Sequence, residues 1–305
     1  MKEKLFIFLK GLAMGAADVV PGVSGGTVAF ITGIYERLLN AINAIDLEAL
    51  KLLSKFKIKE LWEKLDLNFL LPLFVGIGTA VFSLAKLMKY LLVNEPIGLW
   101  SFFFGLIIAS ILLVGKQVKN WNWLTIIAII LGTILSYWIT IATPSQAPEG
   151  LQYVFLAGMI AICAMILPGI SGSFMLLLMG QYDQVISAIT DINIKVIAVF
   201  GAGAAIGITS FSRILSFLLK KYHDFTIALL SGVMIGSLNK VWPWKKVIKT
   251  YVDRHGEIKP LLEESILPQH FDGDNQLVLA IVLAIVGFGL VYGIEKFASN
   301  DSKIA

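Results

Sequence analysis

Of 305 residues only Cys163 is a cysteine, and only three are histidines. A lone thiol cannot close an intramolecular disulfide, which excludes a secreted disulfide scaffold. Cys163 lies in an apolar run and reads as a small buried hydrophobe. Charge is scarce too. Asp, Glu, Lys and Arg make up 15% of the chain, against about 25% in a soluble domain. Apolar residues reach 57%, and mean hydropathy is +0.81. That excess excludes a soluble enzyme and a disordered chain, and an integral membrane protein is expected. Lys and Arg number 25 against 21 Asp and Glu, a net charge of +4. No basic stripe is interleaved with aromatics, so nucleic acid is not expected as a partner. No metal or cofactor is expected either. The N-terminus looks like a signal peptide, but Lys10 interrupts its apolar region and the segment recurs later.

Apolar stretches of bilayer-crossing length fall at 69–92, 98–115, 123–141, 196–219 and 277–294, with a more polar one at 225–242. Two further stretches, 5–42 and 153–189, are interrupted by Pro-Gly. Each reads as a re-entrant hairpin of two shorter helices. Lys51, Lys55, Lys57, Lys59 and Lys64 precede the first span, Lys116 and Lys119 follow the second, and Lys220 and Lys221 follow the fourth. The short connections 93–97 and 142–152 contain no Lys or Arg. With both hairpins re-entrant, the lysine-bearing short loops fall inside and the lysine-free ones outside. Both termini are then cytoplasmic, and the loop 243–276 is external. The segment 47–66 looks amphipathic and is expected on the inner leaflet surface. Trp100, Trp121, Trp123, Trp138, Trp242 and Trp244 lie near span ends, where an interfacial aromatic belt is expected.

The chain repeats itself once. Residues 21–42 align without gaps to 168–189, pairing Pro21 with Pro168, Gly22 with Gly169, Ser24 with Ser171, Gly25 with Gly172, Gly33 with Gly180 and Tyr35 with Tyr182. Residues 82–92 match 209–219, and Gly105 and Ser110 then match Gly232 and Ser237. The expected fold is an all-α polytopic membrane protein in two repeats, 1–141 and 153–297, each one hairpin followed by three spans. Three is odd, so the second half enters from the opposite face. Such an inverted-topology repeat is a common plan of secondary transporters, and matching broken segments point to their substrate site.

The chemistry concentrates at the two tips. Pro21 stops a helix, and a new helix is expected to start near Thr27. Its first N–H groups lack intrahelical partners and its dipole is positive there. Gly22, Ser24, Gly25, Gly26 and Thr27 thus make a candidate anion site. Glycine is expected at the tip for positive φ and for close approach of another group. Gly169, Ser171, Gly172 and Ser173 repeat the arrangement. Two tips entering from opposite faces can meet near the midplane around one phosphate or carboxylate. A plainer reading is that these glycines serve tight helix packing alone. Residues 22–26 also fit the G-x-S-x-G pattern of hydrolases. An intramembrane serine hydrolase, however, needs a base beside Ser24, and every histidine lies in a loop. Ionisable residues within apolar segments are costly and tend to be functional. These are Asp18, whose repeat counterpart is Met165, with Glu36, Arg37, Lys86 and Arg213. Lys86 and Arg213 either hold phosphate charge or snorkel to the interface.

The motif AADVVPGVSGGT at 16–27, taken with ILPGISGS at 166–173, resembles the bacterial PopT-type polyprenyl-phosphate translocases. The resemblance covers nearly the whole chain. It carries motif roles onto Asp18, Pro21, Gly22, Ser24, Gly25, Gly26, Thr27, Pro168, Gly169, Ser171, Gly172 and Ser173; Lys86 and Arg213 are an extension beyond it. It implies a multi-pass protein of the bacterial plasma membrane. Its substrate would be undecaprenyl phosphate, returned from the outer to the inner leaflet to recycle the carrier lipid of cell-envelope synthesis. Proton coupling through Asp18 is a further expectation. The residues alone reach only an inverted-repeat transporter with a midplane anion site, and they leave open a carrier or channel for a soluble anion.

Overall fold

The computed structural model describes residues 2–20, 23–144, 150–252 and 258–301. The first half runs α1 (Lys2–Asp18), α2 (Gly25–Ile31), α3 (Tyr35–Asn43), α4 (Leu47–Ser54), α5 (Ile58–Lys64), α6 (Leu67–Asn94), α7 (Pro96–Gly115) and α8 (Trp123–Ile141). The second runs α9 (Leu151–Ile166), α10 (Gly172–Leu178), α11 (Tyr182–Thr190), α12 (Ile194–Lys221), α13 (His223–Ser237), β1 (Lys245–Val252), β2 (Ile258–Ser265) and α14 (Leu277–Asp301). Helices α6, α7, α8 and α12 are long and apolar enough to cross a membrane, and α9 and α14 carry shorter apolar stretches. Large apolar side chains such as Phe74, Phe82, Ile134, Trp138, Val278 and Ile285 face outward from these helices. Water would disfavour that surface and hydrocarbon suits it. The protein is a mostly helical, multi-pass membrane protein.

Glycine sets the packing. A Cβ at Gly11 would overlap the Leu73 carbonyl oxygen of α6, and one at Gly76 the Phe8 carbonyl of α1. In the second half, Gly158 meets the Phe200 carbonyl and Gly203 the Phe155 carbonyl in the same way, joining α9 to α12. The next pairs exchange partners between halves. Gly105 of α7 meets the Ala284 carbonyl of α14, and Gly287 meets that of Phe102. Gly232 of α13 meets the Ile129 carbonyl of α8, and Gly132 meets that of Leu229. Each contact therefore occurs twice, in the register that aligns Pro21 with Pro168 and Gly105 with Gly232. Backbones this close gain dispersion contacts that larger residues would prevent.

Three expectations need correction. Each hairpin contains three helices, because its return arm breaks at a left-handed glycine, Gly33 (φ 71°) or Gly180 (φ 66°). The stretch 225–242 is not one continuous helix. Its helix stops at Ser237 after 15 residues, roughly 22 Å at 1.5 Å each, and the chain to Trp242 continues without helical structure. The segment 243–276 is not plain loop, so the fold is not strictly all-α. Strands β1 and β2 pair antiparallel from Lys245 opposite Ser265 to Val252 opposite Ile258. Trp242 donates from Nε1 to the Ile266 carbonyl (2.8 Å), and Trp244 to the Asn275 carbonyl (2.8 Å). These two tryptophans pin the hairpin to the helices, whereas Trp121, Trp123 and Trp138 stay exposed. The segment 47–66 forms the short helices α4 and α5.

Candidate functional site

At the first tip Ser24 is the N-cap of α2. Its backbone is extended, and its Oγ accepts from the Gly26 N–H (3.1 Å). The Thr27 N–H donates to the Ser24 carbonyl (3.0 Å). The Gly25 N–H donates to Asp18 Oδ1 (2.7 Å). All three N–H groups that open α2 are thus satisfied within the protein, one of them by a carboxylate. Asp18 sits where an anion would be expected at a helix start. Its partner is backbone, not Arg37, Lys86 or Arg213. Gly25 and Gly26 are helical, so the expected positive φ is not the reason for glycine here. The reason is space. A Cβ on Gly25 would lie 2.5 Å from Asp18 Oδ2, and one on Gly26 would lie 2.6 Å from the Ile166 carbonyl oxygen. Pro21 and Gly22 lie outside the described residues.

The second tip lies against the first. The Ser24 hydroxyl donates to the Met165 and Leu167 carbonyls (3.1 and 3.2 Å). The Gly169 N–H donates to Thr27 Oγ1 (2.9 Å), and the Tyr35 hydroxyl donates to the Ile166 carbonyl (3.1 Å). Gly169 does adopt positive φ, 90°, and a Cβ there would crowd Ser237 Oγ. The two tips nevertheless differ in chemistry. Ser171 makes no side-chain cap to α10; its hydroxyl bonds that of Ser173 (2.9 Å). Where the first tip has Asp18, the second has Met165.

Among the described residues no hydrogen bond joins Ser24 to a histidine or lysine, so the G-x-S-x-G match lacks its base. The other expected charges lie away from the tips. Arg37 is half-exposed. It bonds Asp66 from Nε (2.6 Å) and Glu3 from Nη1 (3.2 Å), and it stacks 4.6 Å over the Phe69 ring. Glu36 is exposed and lines a polar recess of about 140 Å³ with Asn40, Ser216, Lys220 and His223. Lys86 and Arg213 are exposed on α6 and α12, and neither makes an ion pair among the described residues. That favours snorkelling over phosphate contact.

Three polar residues were not singled out as site residues from the sequence. Tyr35, identical to Tyr182 in the repeat, ties the tips together. Lys10 donates to the Thr32 carbonyl (2.7 Å) at the C-terminal end of α2, where the dipole favours a cation. Lys240 lies 4.4 Å from the Phe174 ring centroid beside the second tip. No motif flagged it, because it precedes a stretch that reads as loop.

Beside the first tip is an apolar cavity of about 620 Å³ between α1, α2, α6, α7 and α14, lined by Ala13, Ala17, Val28, Leu99, Phe103, Leu106, Leu283 and Val291 among others. Among the described residues Glu95 is its one charged lining residue. The arrangement places an interlocked polar centre next to a space suited to hydrocarbon.

A family model described as undecaprenyl phosphate translocase-like matches residues 14–259. A Vibrio cholerae serotype O1 protein named polyprenyl-phosphate transporter is 45% identical over 300 residues, covering 97% of each chain. A Staphylococcus aureus protein of the same name is 34% identical over 254 residues, covering 77% of this chain and 85% of the relative. No solved structure matches. With a family model spanning most of its length and a relative matched nearly end to end, the chain belongs to the undecaprenyl phosphate translocase-like family.

Proposed function

We propose that the protein carries a polyprenyl phosphate across the bacterial plasma membrane, from the outer to the inner leaflet, for reuse as carrier lipid. The observation that carries this reading is the pair of repeated tips bonded to each other beside an apolar cavity. A phosphate crossing hydrocarbon unaided would meet a prohibitive desolvation cost. Only the head needs shelter, and the 620 Å³ cavity beside the first tip suits the first units of the tail. The remaining tail stays in lipid. Gly22, Ser24, Gly25, Gly26 and Thr27 with Gly169, Ser171, Gly172 and Ser173 hold the head. In the structure Ser24 and Thr27 are interlocked with the second tip. To bind phosphate these hydroxyls leave the opposing backbone, and the Gly25 N–H exchanges the Asp18 carboxylate for a phosphate oxygen. An anion that displaces a carboxylate is helped if that carboxylate is protonated, which would couple transport to protons through Asp18. The duplicated glycine contacts support two equivalent halves; on this reading the halves are inverted, both hairpins are re-entrant and both termini are cytoplasmic. Rocking of one half against the other then alternates access.

Headgroup flip in proteoliposomes tests this reading. The polyprenyl monophosphate should be translocated faster than the diphosphate, and a rate for the monophosphate no higher than in protein-free vesicles would remove it.

A further inference from the structure

At the end of the molecule where α8, α13 and the β-hairpin converge, two lysines share one carboxylate. Glu263 Oε2 lies 3.7 Å from Lys240 Nζ and 3.9 Å from Lys245 Nζ. Both separations exceed hydrogen-bond length, so neither ammonium has a strong bond to its counter-ion. Lys245 donates to the Lys240 carbonyl and lies 4.8 Å from the Trp100 ring centroid. Its side chain is only 11% exposed. Burial pushes its ammonium down to about 7, and Lys240 pushes the same way against Glu263. Among the described residues this buried group is one negative charge short.

A second observation is independent of the charge. Lys240 lines a small recess with Ser136, Thr140, Gly169, Ser171 and Phe174, so the recess adjoins the second tip. Ser136 Oγ there is fully buried and has no hydrogen-bond partner among the described residues. Serines elsewhere in the helices behave differently. Ser101, Ser110, Ser231 and Ser237 each donate to a carbonyl one turn back. A buried hydroxyl left without a partner is costly. The recess, about 10 Å³, has room for roughly one water and none for a phosphate until the hairpin moves.

We infer that Lys240 and Lys245, with Ser136, form the site where a phosphomonoester head first lands on its way to the second tip, and that Glu263 holds the head's place while the site is empty. This deepens the lipid-phosphate reading above and rests on it. A phosphate supplies the missing negative charge and an acceptor for Ser136, and Glu263 swings out with β2. Lys240, packed on Phe174 of α10, then links the landing site to Ser171.

Calorimetric titration of the purified full chain with farnesyl phosphate tests this, with farnesol and inorganic phosphate as separate arms. Charged hydrogen bonds of this kind carry about 10–100-fold in affinity. Lys240→Gln should therefore weaken farnesyl phosphate binding by about tenfold or more. Ser136→Ala should weaken it a fewfold, and Glu263→Gln should tighten it by removing the competitor. Farnesol should not bind, and inorganic phosphate should bind more weakly than farnesyl phosphate. If Lys240→Gln fails to fold, the Ser136 and Glu263 variants decide alone. A merely structural role for the cluster predicts no tightening in Glu263→Gln and no change in Ser136→Ala, and that result overturns the inference while leaving the transport reading intact. Inorganic phosphate binding as tightly as farnesyl phosphate would make this a free-phosphate site and overturn it too. Absence of farnesyl phosphate binding by the unaltered protein would overturn the transport reading and this inference together.

Discussion

Gly26→Ala measures how much the closed state depends on contact between the two tips. The added methyl would lie 2.6 Å from the Ile166 carbonyl oxygen and 3.0 Å from that of Met165. Both obstacles are backbone of the opposite half, and Gly26 is fully enclosed, so the methyl fits only if the tips separate. Overpacking of this kind costs about 1–3 kcal/mol. Separation also stretches the bonds from Ser24 to Met165 and Leu167, from Tyr35 to Ile166 and from Gly169 to Thr27. Each is worth about 1 kcal/mol. With these four bonds stretched to about half their worth, a combined loss of roughly 3–5 kcal/mol from the closed state follows. Thermal unfolding in detergent should show a clear drop, and proteoliposome translocation should fall sharply. Gly25→Ala makes a useful contrast, because the atoms nearest its methyl belong to the Asp18 side chain, which can rotate away at the expense of its bond to the Gly25 N–H. It should destabilise less than Gly26→Ala. Gly26→Ala with unchanged unfolding and normal transport would show that the tips do not need close contact.

Asp18→Asn keeps an acceptor for the Gly25 N–H and removes the charge. Stability should stay within about 1 kcal/mol, since Asn caps as well as Asp, lipid binding should persist and dependence on a pH gradient should vanish. Loss of binding at every pH would instead make Asp18 an orienting group. Ser24→Ala with Ser171→Ala should weaken phosphate-lipid binding while folded protein remains in the membrane; unchanged affinity would clear both hydroxyls of that role. Cysteines at Gln117 and Tyr222 should react only from inside, and those at Ser145 and Gly256, which lie outside the described residues, from outside. Labelling of Tyr222 from outside would make the two halves parallel.

What the sequence revealed and what it hid have physical reasons. Periodic apolar length made α6, α7, α8 and α12 legible, because a bilayer imposes a minimum span. The repeat was legible because Gly-dependent contacts constrain identity; Gly105 and Gly232 meet equivalent carbonyls and tolerate no other residue. The breaks at Gly33 and Gly180 align in the repeat, but one left-handed glycine does not interrupt an apolar pattern. The β-hairpin was hidden because its strands carry lysines and glutamates on a polar background with no clean alternation. Lys86 and Arg213 drew attention by their matched positions, yet matched positions also arise when both copies need an anchor at a span end. The first tip was read as a place for an anion, and the sequence could not show that Asp18 folds back to accept the Gly25 N–H.

Asp18 has a parallel at the lysine cluster. Asp18 occupies the Gly25 N–H, and Glu263 lies between Lys240 and Lys245. On the proposed cycle each carboxylate stands where a phosphate oxygen would stand. A carrier that returns empty must close over its own anion donors, and buried donors without acceptors are costly. A protein carboxylate that satisfies them in the empty state lets the closed form exist without lipid. It must also bind less well than phosphate, or the site would never load. The loose geometry at Glu263 meets that condition; the 2.7 Å bond at Asp18 does not, unless the carboxylate gains a proton. The second tip has Met165 in place of a carboxylate and lies beside Lys240, so on this cycle the head reaches the second tip first. It passes to the first tip only when Asp18 gives way. The difference between the two tips then separates loading from crossing, and the step at Asp18 is the one at which a proton can be required.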